Sequence, residues 1–583
     1  MDLGGERQGV SPVQPSQDRS ILRGPAQIPQ PMHLSRFLRQ GLTPIQWAVA
    51  CALICAGPSL QAQAPQGSPD SRDGYAQGGD TLPPVLPELG DTASQDLSPA
   101  AERRLGDRIM RSIWPDPSVI DDPLVLEYIE QVWQTLLASA RQRGEITQDL
   151  DSVYAWRPFL VQDRTINAFA LPGGYIGVHL GLLAMTSSPD ELASVLAHEL
   201  SHVTQRHIAR TIGVQSRQSW VSLASIILGV MAASRSPQAA QAVIMGGQAA
   251  SMQGQLNFSR DMEREADRVG FGVLTSGGFE PSGMAQMFEH LQTASRLNDD
   301  GSYPYLRTHP LTTERIGDAR ARLGPQAWNG KAVMGDATRP VVARHMLMAA
   351  RARVLMDPRS SFIATLTSPA VTPRTPALEA VTLHYMAAVA SQQLRDLDHA
   401  QNSLNLARKL VPQLPGPQAT EVTRLLTLAE IELHLQARQG QQAREDLNAL
   451  YRNPKRIQPR PEMMLAAHLA LTVPGPEQDA AMRQAASDLQ THLSDHPYDS
   501  AAWGALSQLW QHLNEPIRAV RAEAEASATR GDLPGAIDRV LGAHKRFTHP
   551  SGADTIELSA MDSRLKIWQR QQREDLREDA AGR

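Results

Sequence analysis

Apolar side chains recur every three to four positions along residues 121–140, which read DDPLVLEYIEQVWQTLLASA. Leu124, Ile129 and Leu136 fall on one broad face of a helix with this period, so the segment predicts an amphipathic α-helix with one buried side. Ser98 opens the preceding segment, SPAAERR, and a serine before a run of helix-forming residues is a typical N-cap. The pattern therefore predicts that helical structure begins near residue 98.

A different period appears in residues 159–183, FLVQDRTINAFALPGGYIGVHLGLL. Two short runs with strand character lie on either side of Pro172, Gly173 and Gly174, and such a cluster is typical of a turn. We expect a small β-sheet here. Its strand around residues 166–171 could align an extended peptide through main-chain hydrogen bonds.

After about residue 339 the pattern becomes one of paired helices. Examples are residues 377–393 with 397–411, and residues 501–513 with 516–530. Alanine recurs inside these helices and proline often follows the second one, which predicts an α-solenoid of tetratricopeptide-like repeats. The spacing is irregular, so a plain helical bundle remains the alternative.

The N-terminal region has the features of a secretory signal peptide. The apolar run AVACALICAG at residues 48–57 follows Arg36 and Arg39 and precedes the small-residue sequence SLQAQA. This arrangement is typical of export, and the run is too short for a membrane span. A start at Met32 would keep every one of these features. Residues 65–97 are rich in Pro, Gly, Asp and Ser and predict a disordered linker.

Four parts are therefore predicted: an N-terminal extension with a signal peptide at residues 1–64, the linker at 65–97, a first folded domain at 98–335 and a repeat domain at 340–583. Residues 220–233 form the most apolar stretch after the signal segment. At about 14 residues this stretch is shorter than the ~20 that a membrane span needs. A core helix or lid is favoured over a contact with a membrane surface, and both stay open.

Composition narrows the class of partner. The chain of 583 residues is 42% hydrophobic, which is enough to build sizeable cores, and its net charge is -5 at pH 7. Proteins that bind nucleic acids usually present a basic surface, and no long run of Lys and Arg occurs here. We therefore expect no nucleic-acid partner.

The stretch VLAHELSHVTQRH at residues 195–207 carries the strongest chemical signal. His198 and His202 are four residues apart, so both project from the same helical face and their imidazoles can reach one metal ion. Glu199 flanks that face and is placed to touch a water molecule on the metal. The pattern H-E-x-x-H predicts a zinc site with Glu199 as general base.

A catalytic zinc site needs a third protein ligand from elsewhere in the chain. Glu263 and Asp267 are four apart in NFSRDMEREADRVGF, so both can face the site. We expect Glu263 to bind the metal and Asp267 to accept an N–H from a ligand histidine. An acidic, solvent-exposed helix face remains the alternative. His207 and Glu265 are predicted to be bystanders: the first points away from the ligand face of an unbroken helix, and the second is a solvated charge.

The three segments AHELSH, SRDMEREAD and RTHPLTTERI, in this order, resemble the BepA-type periplasmic zinc metalloproteases, within a wider group of gluzincins. The resemblance extends to NAFALPGGYIGV, to SPAAERRLG and to the repeat-rich second half. It implies a mainly α fold: a zincin-type α+β metalloprotease domain with a small β-sheet, followed by an α-solenoid of tetratricopeptide-like repeats.

The same resemblance assigns roles residue by residue. One Zn²⁺ per chain is expected on His198, His202 and Glu263, with Glu199 as the base. His309, in the His-Pro pair of RTHPLTTERI, matches a histidine thought to take the fourth zinc position and to hold the enzyme latent.

Expected function follows from the resemblance as well. It implies a periplasmic endopeptidase that acts on unfolded or misassembled outer-membrane proteins and docks on the β-barrel assembly machinery through its repeats. A peripheral contact with the membrane stays open. The alternative is a repeat-based chaperone or adaptor whose protease domain is latent or inactive. The intact Glu199 favours the enzyme, because a structural zinc site has no need of it.

Overall fold

A computed structural model describes residues 97–214, 260–297, 304–324, 339–450 and 459–581. The predicted signal segment, the predicted linker up to residue 96 and the apolar run at residues 220–233 lie outside these ranges. Within them, none of the helices combines the length and the apolar character that crossing a membrane requires.

The first two helices begin where the sequence predicts. Helix α1 spans Pro99–Ile113, and Ser98 caps it by accepting a hydrogen bond from the Ala101 N–H. Helix α2 spans Pro123–Gln142 and is capped by Asp122. Its predicted apolar face is buried in the main core, which confirms the amphipathic pattern.

A mixed sheet of four strands follows. Its strands are β1 (Val119–Ile120), β2 (Arg157–Val161), β3 (Ala168–Leu171) and β4 (Tyr175–His179). The order is β1-β2-β4-β3, with β2 and β4 parallel and the other pairs antiparallel. Gly173 and Gly174 adopt φ values of 76° and 84° in the predicted turn between β3 and β4, a conformation that disfavours a side chain. Because β3 comes last in this strand order, it lies at an edge of the sheet as far as the structure describes it.

Eight further helices complete the first half of the fold: α3 (Gln148–Val153), α4 (Leu180–Met185), α5 (Pro189–Thr204), α6 (His207–Val214), α7 (Arg260–Ser276), α8 (Ser282–Leu297), α9 (Pro304–Thr308) and α10 (Thr313–Arg322). Every residue of α5 is buried, so this helix forms the centre of the half.

The second half is helical throughout its described residues: α11 (Pro340–Leu355), α12 (Ser360–Ala364), α13 (Ala377–Gln393), α14 (Leu397–Leu410), a 3₁₀ turn (Val411–Gln413), α15 (Gly416–Gln436), α16 (Gly440–Leu450), α17 (Arg460–Thr472), α18 (Gln478–Asp495), α19 (Ser500–His512), α20 (Pro516–Thr529), α21 (Leu533–Arg546) and α22 (Gly552–Ala581). The mainly α fold class with a small sheet is therefore confirmed.

The same tight turn recurs four times between consecutive helices of this half. A residue with positive φ stands two positions after one helix ends and two positions before the next begins, at Arg395, Arg438, Asn514 and Gly531. A left-handed residue just past a helix end satisfies its last carbonyl groups and reverses the chain. This regularity agrees with paired helices; that they are tetratricopeptide-like repeats stays a prediction.

The hydrophobic core does not stop at the predicted boundary between the two halves. One buried cluster runs from Leu124 in α2 to Leu469 in α17 and includes Leu347 of α11. Arginines add ion pairs across the same contact. Arg351, which is buried, bridges Asp122 and Glu432 at 2.8 and 2.9 Å. The boundaries at residues 335 and 340 stay predictions.

Two more ion-pair clusters have the same form: Arg424 with Glu127 and Glu462, and Arg460 with Asp121 and Asp499. Arg344 pairs with Glu421 and donates a hydrogen bond to the neutral Gln131 of α2. Each of the arginines named here thus joins the α2 region to another element of the second half. Helix α2 and the sheet that follows it are held in register with the second half by charge as well as by apolar packing.

Candidate metal centre

The predicted ligand helix α5 forms for local reasons that the sequence contains. Ser188 caps it by accepting from the Glu191 N–H, Pro189 stands in its first turn, and Asp190 follows. Acidic residues in a first turn are favoured by the helix dipole. His198 and His202 lie one turn apart on its face, with their ring centroids 4.7 Å apart.

Helix α7 crosses α5 at very close range because of one glycine. A Cβ atom on Gly270 would lie 3.1 Å from the Ala197 carbonyl oxygen and 3.2 Å from His198 Cα. A larger residue here would require the facing backbone to shift by a few tenths of an ångström, so glycine suits this close crossing. The close approach brings Glu263 and Asp267, two turns and one turn before Gly270, to the two histidines.

Four side chains converge on one buried point: His198, His202, Glu263 and His309. One ligand atom from each lies within 4.8 Å of all the others. His198 Nε2 is 3.0 Å from His202 Nε2 and 3.4 Å from His309 Nδ1. Glu263 Oε1 is 2.9 Å from His309 Nδ1 and 3.5 Å from His202 Nε2.

These separations test whether the group fits a zinc ion. Ligands at about 2.1 Å from a tetrahedral metal are about 3.4 Å from one another, and the four distances scatter around this value. Three imidazoles and one carboxylate are also the nitrogen and oxygen donors that zinc prefers. The residues fit a tetrahedral metal ion, and the structure places all three predicted ligands and His309 together.

Glu199 stands beside this group. Its Oε2 accepts a hydrogen bond of 3.1 Å from the Ala170 N–H on strand β3. Its Oε1 is buried, lies 3.5 Å from His309 Nε2, and has no hydrogen-bond partner among the described residues. Burial raises the pKa of Glu199 above its ordinary value. A carboxylate with a raised pKa is better suited to take up a proton, as the predicted base must.

Asp267 supports His198 as the sequence predicts: its Oδ1 lies 3.0 Å from His198 Nδ1. Although burial opposes the charged carboxylate, hydrogen bonds from Arg315 and His198 lower the pKa of Asp267. Burial likewise disfavours a charged His198, but its hydrogen bonds to Asp267 and Glu263 raise the pKa of that imidazole to about 9. The pair is therefore strongly polarised.

Arg315 is a member of the site that the sequence reasoning missed. Its Nε and Nη2 donate to the two oxygens of Asp267 at 2.7 and 2.8 Å, and its Nη1 lies 2.8 Å from Glu263 Oε2. Nη1 also donates to the Pro310 carbonyl oxygen at 3.0 Å. Arg315 thus ties both acidic residues to the segment that carries His309. The only feature of the sequence that could have indicated this role is that Arg315 is a basic residue six positions after His309.

The predicted direction of His207 was wrong, because the residue lies next to His202 and does not point away from it. It is fully buried, and its Nδ1 lies 2.8 Å from Nδ1 of His202. Its Nε2 lies 3.0 Å from Glu265, which also accepts from Arg210 at 2.9 Å, so Glu265 is not simply a solvated charge. The prediction assumed an unbroken helix, whereas α5 ends at Thr204 and α6 begins at His207.

The segment carrying His309 lies against the sheet edge. The Tyr305 N–H donates to the carbonyl oxygen of Ile166, two residues before β3, at 3.4 Å. Tyr305 also accepts a hydrogen bond from the His309 N–H, and the two rings are 4.7 Å apart. The start of the strand that was predicted to align a peptide is therefore covered in this conformation.

Comparison with known proteins places these residues in context. A family model described as peptidase family M48 matches residues 127–323, which include every ligand candidate, Glu199, Asp267 and Arg315. The putative beta-barrel assembly-enhancing protease of Vibrio cholerae is 40% identical over 245 residues, which is 41% of this chain and 48% of that protein. The chain therefore spans about half the length of this relative.

Two further relatives extend the likeness. The beta-barrel assembly-enhancing protease of Escherichia coli K12 is 30% identical over 476 residues, covering 80% of this chain and 88% of that protein. The mitochondrial metalloendopeptidase OMA1 of Saccharomyces cerevisiae is 26% identical over 229 residues, covering 38% of this chain and 63% of that protein.

Proposed function

Because this chain belongs to peptidase family M48 and is a metalloprotease, we propose that it is a zinc-dependent endopeptidase of the periplasm that acts on unfolded or misassembled outer-membrane proteins. The observation that carries the chemistry is the buried group of His198, His202, Glu263 and His309 with Glu199 beside it.

His198, His202 and Glu263 hold the zinc ion. A zinc ion held there would supply a water molecule with a lowered pKa and a positive charge facing the scissile carbonyl group. Glu199 takes up the water proton at Oε1 and later delivers it to the leaving amine. The Ala170 N–H anchors Oε2 of Glu199, so the free oxygen keeps its direction while the proton moves.

His309 acts as the latch of the enzyme. Its Nδ1 lies among the ligand atoms, in the position that a fourth ligand takes. The segment that carries His309 also covers the start of the β3 edge. Release of this one segment opens both the metal and the strand that aligns the substrate.

The location and the substrate class rest on the sequence and on the relatives. The apolar run at residues 48–57 with its basic flank supports export to the periplasm. The relatives named beta-barrel assembly-enhancing proteases support a role in outer-membrane protein assembly. Main-chain recognition along β3 favours substrates in an extended conformation, and unfolded barrel proteins offer such extended segments.

The helical second half supplies the docking surface for the β-barrel assembly machinery. Paired helices stacked in one direction present an extended face that suits a protein partner.

A chaperone or adaptor with an inactive protease domain is the competing function. The placement of Glu199 argues against it, because a structural zinc site does not require a buried carboxylate oxygen held next to the ligands.

Glu199→Gln tests the proposal. The purified variant should keep the zinc content of the wild type, since Glu199 is not a ligand, and should cleave an unfolded casein about 10²- to 10⁴-fold more slowly. Zinc content is measured by atomic emission and cleavage by fluorescence release. Cleavage by the variant at the wild-type rate would refute the assignment of the base. Absence of proteolysis in both the wild type and the unlatched His309→Ala variant would favour the chaperone.

A further inference from the structure

The break between α5 and α6 decides what lies behind His202. Arg206 stands at the break with φ 53°, in the left-handed region, and His207 begins the new helix. In an unbroken helix, residue 207 would lie about 140° around the axis from residue 202. The break instead returns His207 to His202, with their ring centroids 4.8 Å apart.

Contacts from far along the chain hold this break in place. The Arg206 side chain reaches Glu102 Oε2 of α1 at 3.3 Å and donates to the Leu97 carbonyl oxygen. Glu102 is buried and is fixed in turn by the Tyr154 hydroxyl at 2.6 Å. A left-handed backbone is unfavourable for a residue other than glycine, and these three contacts hold Arg206 in that conformation.

The direction of the hydrogen bonds follows from the metal site. When Nε2 of His202 binds a metal, the ring proton lies on Nδ1. That atom is 2.8 Å from His207 Nδ1, which must therefore accept. The proton of His207 then lies on Nε2, 3.0 Å from Glu265 Oε2. The result is a chain of hydrogen bonds from His202 through His207 to a carboxylate.

The other motif histidine has a simpler arrangement: His198 Nδ1 lies 3.0 Å from the carboxylate of Asp267, with no residue between them. Each ligand histidine is therefore backed by its own carboxylate. Asp267 lies directly behind His198, whereas Glu265 is connected to His202 through the imidazole of His207.

We propose that His207 is a positioning residue of the metal site: its Nδ1 accepts the N–H of His202 and so fixes the tautomer and the ring orientation with which His202 binds the metal. Glu265 orients His207 for this task. The inference rests on the proposed zinc site and goes beyond it, because it assigns a function to a residue outside the ligands and the base.

Two amide variants separate this role from simple packing. Asparagine places its oxygen where histidine has Nδ1, so His207→Asn keeps the acceptor for His202 and loses the reach to Glu265. Glutamine places its amide nitrogen where histidine has Nε2, so His207→Gln keeps the contact with Glu265 and loses the acceptor. A residue that only fills space would tolerate the larger glutamine at least as well.

The assay is competition for zinc between the full-length protein and a chelator of known affinity. Loss of a partner behind a ligand histidine typically weakens metal binding 10- to 100-fold, and we expect this for His207→Gln. His207→Asn should stay within about threefold of wild type on the same reasoning. At saturating zinc, His207→Gln should also lower kcat for casein while KM changes little. His290→Asn, which removes a half-exposed imidazole paired with Glu191, is the matched control and should leave affinity unchanged.

The outcomes are distinguishable. Two results would overturn the role of His207 while leaving the zinc site standing: an equal loss of zinc affinity in both amide variants, or wild-type zinc affinity in both. A wild-type protein that takes no zinc from the chelator would refute the proposed function itself. Thermal unfolding of each metal-free variant shows whether it is folded. The zinc affinities of His207→Asn and His207→Gln are compared when the two metal-free variants have the same melting temperature.

Discussion

Replacement of Arg315 by methionine tests how strongly the acidic side of the site depends on one cation. Arg315 is buried and is the cationic partner of two buried carboxylates, with hydrogen bonds of 2.7 and 2.8 Å to Asp267 and a contact of 2.8 Å to Glu263. Methionine keeps most of the volume and removes the charge.

The expected cost follows from burial. Removing one partner of a buried ion pair usually costs 3–5 kcal/mol, because the remaining charge is left without compensation. Asp267 keeps His198 at 3.0 Å and Glu263 keeps His309 at 2.9 Å, so we expect a loss near the lower end, about 3 kcal/mol.

Arg320→Met is the matched control, because Arg320 lies on the same helix, α10, and bonds Glu289 at 2.6 Å. That pair is 53% and 46% exposed. Exposed pairs contribute about 0–1 kcal/mol, so this variant should be nearly as stable as wild type.

The measurement is urea unfolding with a chelator present, followed by tryptophan fluorescence. A loss of about 3 kcal/mol should lower the urea midpoint by roughly 1 M if the slope is about 3 kcal/mol per M. The slope must be equal in the variants for the midpoints to be compared. Equal midpoints for the Arg315 and Arg320 variants would refute the argument from burial.

Two further predictions concern the latch and the pH dependence of stability. His309→Ala should raise basal cleavage of casein or self-cleavage several-fold, while zinc content at saturating zinc stays at one per chain; a fall in zinc content without a gain in activity would contradict the latch. His345 is buried between the Tyr128 hydroxyl at 2.8 Å and the Thr186 carbonyl oxygen at 3.0 Å, and burial lowers the pKa of its imidazole to about 4. This pKa is below the unfolded value of about 6.5, so the unfolded state takes up the proton first as the pH falls. The contribution of neutral His345 to the free energy of unfolding is therefore complete above pH 6.5 and is lost as the pH falls toward 4. His345→Gln should therefore lose stability less steeply in that window, by up to about 1.4 kcal/mol per pH unit, in urea unfolding at pH 7, 6 and 5; parallel curves would refute it.

Local patterns alone predicted much of the first half of the fold. The cap at Ser98, the apolar face of α2 and the Gly173–Gly174 turn involve residues close in sequence, and each was found as expected. The paired helices of the second half also follow from a local period. Their recurring turn was not foreseen, because two of its four positive-φ positions, Arg395 and Arg438, are arginines, and arginine carries no turn signal.

The site shows the same division. The four-residue spacing of His198 with His202, and of Glu263 with Asp267, is a property of any helix and could be read directly. That the two helices meet depends on the close crossing at Gly270, for which no pattern in the sequence gave notice. The role of His309 came from the likeness to a family, and its placement among the ligands is a tertiary fact.

The sequence by itself determined which residue types could bind a metal and on which helical face they lie, because helical periodicity is set by the backbone. Only the tertiary structure decided that Arg315 joins the acidic residues and that His207 stands behind His202. The second case shows the reason most clearly: the helix break at Arg206 is held by Glu102 and Leu97, more than 100 residues earlier, and an interaction at that distance leaves no local period to recognise.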